Sequence, residues 1–287
     1  MTVNDEEARR LAGAAVFADE DVARCYHART PYAPALFEAL LGLTPGRRRA
    51  LDLGCGPGKV ARVLADHFDE VVALDPSAPM IAAGQAADAG RHANLRWTLA
   101  RAEPYAAAAP FDLVTAGCSI HWIDPAVMFP KLAQWTPVVA LLDDAPIFPA
   151  PAPPCGYEAW ARFLDRWFAR TGRRIADAWR TPRPDAWLPP LGPAGAWLDI
   201  AGRRRFRFTF RQSVADFVVG NHARGNWWRR MIGTEVAAEF DAALDALLRP
   251  FATGGVLELE AVSDLTWGAP RRTPTDAPGE AAAKRGG

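Results

Sequence analysis

Apolar residues in the first third of the chain form short runs that alternate with segments of helical spacing. The run 49–53 ends at a group of glycines, and apolar residues in the segment 59–68 then recur every three or four positions. A second apolar run covers 71–74, and Ser77 stands soon after it, where a helix N-cap is expected. This order predicts a strand, a tight turn, a helix and a second buried strand.

The same alternation continues through most of the remaining sequence. Helices are predicted over 80–87, 124–135, 157–171, 213–221 and 234–248, and strands over 96–99, 111–115, 138–142, 204–211 and 255–267. Strands that alternate with helices favour a parallel, doubly wound sheet. We therefore expect an α/β fold with a seven-stranded, mostly parallel sheet.

The composition of the sequence changes after Asp144, where "APIFPAPAPPCG" is too rich in proline for regular structure. Ten of the eleven tryptophans lie beyond residue 120, so most of the aromatic surface belongs to the second half. These changes predict four segments: an N-terminal cap over 1–34, a ligand-binding core over 35–144, an aromatic-rich lid and substrate region with the last two strands over 145–270, and a disordered tail over 271–287.

Composition argues against binding to nucleic acid, membranes or metal ions. Lys plus Arg and Asp plus Glu both number 33, so no net charge attracts nucleic acid or an anionic membrane. The first 17 residues contain charged side chains where a signal peptide would have a continuous apolar segment, and no later apolar run has the length of a membrane span. These features favour a cytoplasmic location. The four cysteines, Cys25, Cys55, Cys118 and Cys155, lack metal-ligand spacing, so we expect reduced thiols and no metal site.

Candidate chemistry begins in the glycine-rich stretch "DLGCGPG". Gly54, Gly56 and Gly58 allow a sharp turn out of the first strand and a close approach of bare backbone to a ligand. Asp75 follows Gly58 by seventeen residues and falls at the carboxyl end of the second predicted strand. A carboxylate there can accept hydrogen bonds from both hydroxyls of a ribose, so the pattern predicts a nucleoside-like ligand.

A nicotinamide dinucleotide is the less favoured ligand of this kind. Its fingerprint, GxGxxG, counted from Gly54, requires a glycine where this chain has Lys59. The pattern Asp-Leu-Gly-x-Gly-x-Gly, which begins at Asp52, instead resembles the first motif of class I S-adenosylmethionine-dependent methyltransferases. The resemblance includes the acid of the second strand, Asp75.

Three further stretches extend this resemblance. "RAEP" at 101–104 stands where that family has an acidic residue beside the adenine. "AGCSIHWIDP" at 116–125 and "YHARTPYAP" at 26–34 resemble the branch that contains trans-aconitate methyltransferase, although Thr30 replaces a proline of the second stretch. The resemblance implies a Rossmann-like sheet with an inserted helical lid and S-adenosyl-L-methionine as the cofactor.

The resemblance also implies a set of cofactor-binding residues on the matching motifs. Within it, Glu103 lies beside the adenine or faces solvent, and Arg29 pairs with the cofactor's carboxylate or is a surface charge. The full set is Tyr26, Arg29, Asp52, Gly54, Cys55, Gly56, Gly58, Asp75, Pro76, Met80, Ala102, Glu103 and Ala116.

Catalytic candidates follow the fourth predicted strand, at the sheet edge where open α/β folds bind ligands. His121 is expected to orient the acceptor or take its proton, and Trp122 to form a wall near the cationic sulfur. The alternative is a packed aromatic pair. In "GNHARGNWWRR", His222, Trp227 and Arg229 are candidates for acceptor binding, with interhelical packing and surface charge as the favoured alternative.

The sequence thus predicts an S-adenosylmethionine-dependent methyltransferase that acts on a small molecule. The acceptor atom is expected to be an oxygen, from a carboxylate or a hydroxyl, and the methyl transfer to be an in-line displacement driven by proximity. A nicotinamide-dependent oxidoreductase and a non-catalytic cofactor-binding protein stay as alternatives. We expect a monomer or homodimer that binds neither nucleic acid nor membrane.

Overall fold

Five short parallel strands form the part of the sheet that holds the glycine turn, and the central ones are buried on both faces. A computed structural model describes residues 13–145, 154–172, 191–224 and 227–275. The strands pair in the order β3-β2-β1-β4-β5, and each contact is parallel. Their bounds are Arg49–Leu53 for β1, Glu70–Asp75 for β2, Leu95–Leu99 for β3, Leu113–Gly117 for β4 and Val139–Ala145 for β5.

Two long antiparallel strands complete the sheet beyond β5. They are β6, Leu198–Ser213, and β7, Val256–Pro270, and the full order is β3-β2-β1-β4-β5-β7-β6. β6 exceeds its predicted bounds of 204–211 at both ends, and β7 continues past the end of its predicted range of 255–267, because the two strands pair over nearly their whole length. The predicted α/β fold with a seven-stranded, mostly parallel sheet is confirmed.

Capping residues fix where the helices of the parallel part begin. The Ser77 hydroxyl accepts a hydrogen bond from the Met80 amide at 3.2 Å, as predicted for an N-cap. Asp124 accepts from the Ala126 amide at 2.9 Å in the same way. The described helices are α1 Glu20–Cys25, α2 Pro34–Leu41, α3 Ala61–Ala65, α4 Ala78–Asp88, α5 Pro125–Trp135, α6 Tyr157–Arg170, α7 Val214–His222, α8 Arg229–Ile232 and α9 Thr234–Leu248.

Apolar side chains form a layer on each face of the sheet and a third cluster beyond it. Leu64 and Leu113 belong to one layer, and Leu51 and Phe129 to the other. The third cluster joins α6, α7 and α9 to the first half of β7, and most of its buried rings come from the aromatic second half of the sequence. This helical layer is the region predicted as a lid.

Several predicted segments fall partly outside the described residues. They are residues 1–12 of the cap, most of the proline-rich connection after Asp144, and the tail from residue 276. Within the described part of the tail, the amides of Arg271 and Thr275 donate to the carbonyls of Trp197 and Ala196. Among the described residues, no helix combines the length and the apolar character that crossing a membrane requires.

Candidate functional site

Two glycines in the turn after β1 differ in what surrounds them. Gly54 and Gly56 both adopt left-handed backbone, with φ of 62° and 52°. A Cβ on Gly54 would lie 2.5 Å from the Cβ of Ser119, so packing within the protein requires glycine there. A Cβ on Gly56 would meet no described atom within 4 Å. The Gly56 backbone therefore faces open space that a side chain would occupy.

Asp75 ends β2 directly beside this turn. Its Oδ2 accepts from the Gly56 amide and its Oδ1 from the Ser77 amide, both at 2.8 Å. Burial raises the pKa of Asp75, and the two backbone donors oppose that shift. Each carboxylate oxygen has a further lone pair with which to accept a ligand hydroxyl.

A first cavity of about 270 Å³ lies over the carboxyl ends of β1, β2 and β4. An N-terminal segment covers it, since Phe17 contacts Trp122 and Tyr26 edge-to-face and the Phe17 carbonyl accepts from Ser77 Oγ at 2.6 Å. Gly117 and Ser119 also lie on the cavity wall, although the sequence did not single them out as site residues. Predicted residues on its wall are Tyr26, Gly54, Gly56, Asp75, Pro76, Met80, Ala102, Glu103 and Trp122.

Five predicted cofactor residues lie off this wall. Asp52 and Cys55 line a smaller recess behind the turn, and burial raises the pKa of Asp52 to about 7. Gly58 packs against the ring of Trp97, and Ala116 is buried in the sheet core. For Gly58 and Ala116 the structure therefore indicates a packing role.

Arg29, the remaining predicted cofactor residue, belongs to a charged group beside the recess. Its guanidinium lies 5.0 Å from the centre of the Tyr26 ring, and Nη2 is 3.5 Å from Asp144 Oδ1. Lys59 donates to the carbonyls of Arg29 at 3.1 Å and Thr30 at 2.7 Å. Burial lowers the pKa of Lys59 to about 8. Sequence reasoning had assigned no binding role to Lys59 or Asp144.

Cys118, Asp143 and Asp144 bring three candidate metal-ligand atoms within 4.8 Å of one another. The Cys118 thiol is 3.0 Å from Asp144, and burial raises the pKa of that thiol well above its ordinary value. The Arg29 guanidinium is a cation that already pairs with Asp144 in this group.

His121 and Trp122 stand between two cavities, on a short turn after β4. Their ring centres are 4.4 Å apart. Trp122 lines the first cavity, and His121 lines a second cavity of about 200 Å³ with Asp143 and Asp264. Partial burial, with a contribution from the charge of Arg29, lowers the pKa of His121, so its imidazole is neutral at neutral pH and able to accept a proton.

The three residues predicted to contact the acceptor lie in the helical layer and line neither cavity. His222 is fully buried and bonds the Trp227 carbonyl at 2.6 Å and Asp241 at 2.5 Å. Trp227 stacks on the Phe240 ring. Arg229 pairs with Asp21 and Asp241. The structure matches the packing alternative for all three, because each already has partners within the protein.

Comparison with known proteins identifies the domain. Residues 50–139 match the family model Methyltransf_25, a methyltransferase domain. The malonyl-acyl-carrier-protein O-methyltransferase of Enterobacter lignolyticus is 42% identical over 92 residues, which cover 30% of this chain and 34% of the relative. The trans-aconitate 2-methyltransferase of Streptomyces avermitilis is 30% identical over 166 residues, covering 53% and 58%.

A solved structure supports the fold over a longer span. It is described as a candidate type II methyltransferase from Anaeromyxobacter dehalogenans, and it aligns with 86% of this chain and 99% of its own, at 22% identity and a TM-score of 0.57. The two curated relatives are matched over only 34% and 58% of their lengths. The prediction of a methyltransferase is supported at the level of this domain, because residues 50–139 match a methyltransferase-domain model.

Proposed function

We propose that this chain transfers the methyl group of S-adenosylmethionine to an oxygen of a small-molecule acceptor. The observation that supports the proposal is one cavity wall that carries both the bare backbone of Gly56 and the fixed carboxylate of Asp75. The Gly56 backbone leaves room for the ligand, and the Asp75 carboxylate can accept hydrogen bonds from two ribose hydroxyls.

The residues around the first cavity fit such a cofactor. Asp75 would bind the ribose, Met80 and Ala102 would contact the adenine, and Gly54 and Gly117 would lie along the methionine portion. The bound cofactor supplies a methyl group on a positively charged sulfur. Trp122 would face that charge with its aromatic ring, and Phe17 and Tyr26 would help to exclude water.

The acceptor in this proposal carries a carboxylate or a hydroxyl. Both curated relatives described above are named for acceptors that contain carboxylates. A carboxylate is ionised at neutral pH and needs no base, so His121 would only orient it. A hydroxyl must lose a proton, and the neutral imidazole of His121 could accept it.

Variants of His121 separate these two roles. If His121 is a base, His121→Ala and His121→Asn should both lower kcat and remove the acidic limb of the pH profile. If it orients the acceptor, His121→Asn should keep much of kcat and raise KM. Unchanged kcat and KM in both variants would exclude either role.

Two measurements test the proposed function itself. Calorimetry should show binding of S-adenosylhomocysteine and no binding of NADH, and the reverse result would favour an oxidoreductase. A screen of small acids and phenols for transfer of a labelled methyl group should then identify an acceptor. Cofactor binding without transfer to any of them would favour a non-catalytic cofactor-binding protein.

A further inference from the structure

Arg224 lies just beyond the end of α7, in a turn held against the N-terminal segment. A Cβ on Gly220 would lie only 2.4 Å from the Ala28 carbonyl oxygen, so α7 directly contacts the backbone just before Arg29. Gln212 donates to the same carbonyl at 2.7 Å. The Arg224 amide donates to Asn221 at 3.1 Å, which fixes the turn. This packing brings the guanidinium of Arg224 close to the charged group at Arg29.

The Arg224 guanidinium has no hydrogen bond or ion pair with any described residue. The Nε atom of Arg29 is likewise buried and lacks a partner among the described residues. Burial and the charge of Arg29 lower the pKa of Arg224 to about 10, so it is still cationic at neutral pH. Arg224 is partly buried, and a partly buried cation without a hydrogen-bonded partner is unfavourable. These unused donors indicate a place for an anion.

The local charge balance also favours an anion. Arg29, Lys59 and Arg224 contribute three cations, and Asp144 interacts electrostatically with all of them. Burial raises the pKa of Tyr26 to about 12, so that residue is neutral. Asp143, the preceding acid of β5, lines the second cavity and also interacts electrostatically with Arg29, and Asp52 in the recess has a pKa of about 7. Three cations therefore face two ionised acids and one partly ionised acid, which leaves a small excess of positive charge beside the recess.

The cofactor does not remove this excess. At neutral pH, S-adenosylmethionine carries a carboxylate and an ammonium, which cancel, and a sulfonium, which adds one positive charge. Arg29 and Lys59 together can pair with the cofactor carboxylate. Arg224 then remains as a cation without a hydrogen-bonded partner among the described residues, and an anionic second substrate would supply one.

We propose that Arg224 is a specificity-determining residue that binds a carboxylate of the methyl acceptor, with Arg29 Nε as a second donor. This inference rests on the proposed methyl transfer and narrows its acceptor to carboxylic acids. A guanidinium binds a carboxylate through two parallel hydrogen bonds, which fixes the orientation of the acid as well as its charge. Arg229, the arginine predicted for this role, is already paired with Asp21 and Asp241.

The test uses the full chain saturated with S-adenosylhomocysteine and titrated with trans-aconitate, malonate and benzoate. At least one acid should bind the parent protein, and its neutral methyl ester should not. Arg224→Gln should weaken binding of that acid about tenfold or more, because hydrogen bonds to charged groups are among the stronger ones. Arg224→Lys should give an intermediate affinity, because lysine keeps the charge without the paired geometry. Arg211→Gln, at an exposed arginine of β6, is the matched control and should bind like the parent.

The outcomes separate this inference from the proposed function. Failure of the parent to bind S-adenosylhomocysteine would remove the proposed function. Normal cofactor binding with no binding of any of the three acids, or with equal binding in Arg224→Gln, would overturn the role of Arg224 alone. A loss of cofactor affinity in Arg224→Gln that matches the loss of acid affinity would assign Arg224 to the cofactor and also overturn it. Thermal unfolding of both Arg224 variants checks that they fold.

Discussion

Replacement of Gly56 by alanine tests whether the glycine turn faces a ligand. Gly56 and Gly90 both have left-handed backbone, with φ of 52° and 74°, and a Cβ at either position meets no described atom within 4 Å. Only Gly56 lies on the wall of the first cavity. Gly90→Ala is therefore a matched control that has the same backbone penalty away from the site.

The expected magnitudes follow from this geometry. Each alanine variant should lower the free energy of unfolding by about 1–2 kcal/mol, the cost of left-handed backbone for a residue with a Cβ. The methyl of Gly56→Ala would in addition overlap the bound cofactor. Inserting a methyl into a filled space costs about 1–3 kcal/mol, and 1.4 kcal/mol corresponds to a tenfold change in affinity. Cofactor affinity should therefore fall about tenfold or more in Gly56→Ala and stay unchanged in Gly90→Ala.

Two assays measure these effects separately. Urea unfolding of the cofactor-free protein gives the backbone penalty, and calorimetry with S-adenosylhomocysteine gives the affinity. Gly54→Ala is a third comparison, in which the clash with Ser119 should reduce stability more than either of the other changes. Equal cofactor affinity in Gly56→Ala and Gly90→Ala would show that Gly56 does not face the cofactor.

Three further predictions concern individual charged groups. Asp75→Asn should weaken S-adenosylhomocysteine binding by roughly 10- to 100-fold, since it removes a charged acceptor of ribose hydroxyls; unchanged affinity in calorimetry would place the ribose elsewhere. Arg29→Ala should also weaken that binding, and parental affinity would remove Arg29 from the cofactor site. The pKa of His92 is raised by its hydrogen bond to Asp88, so this contribution to stability is present below pH 6.5 and is lost as pH rises through the raised pKa. Urea unfolding of His92→Gln from roughly pH 5 to 8, a range that spans the pKa of about 6.5 of a free histidine, should lack that decline. A pH dependence like that of the parent would contradict the assignment.

Local signals in the sequence were sufficient for the parallel sheet and for much of the first cavity. Buried strands, a serine N-cap and an acid at a strand end are set by neighbouring residues, so Ser77 and Asp75 are where the pattern predicted them. Strand length was less predictable. β6 extends to Leu198 because its partner β7 continues to Pro270, a pairing between residues far apart in sequence.

The charged residues of the second half show why the rest of the site was missed. Arg229 is a sequence candidate for acceptor binding, with packing and surface charge as the favoured alternative, and the partner that decides between them, Asp21, lies 208 positions away in the sequence. Arg224 stands five residues earlier in the same basic stretch and gave no signal of its own. Its position near Arg29 depends on the packing of Gly220 against Ala28, which only the folded chain brings about.

The pairing of β6 with β7 has a mechanical consequence for the whole molecule. β7 is one uninterrupted strand, about 50 Å long at the usual rise per residue, and it places Leu259 among the helices and Leu265 against the sheet. The sheet and the helical layer therefore share one strand, and we expect them to unfold together. Calorimetric melting should show a single cooperative peak, and a substitution at Leu259 should lower the melting temperature of sheet and helices together.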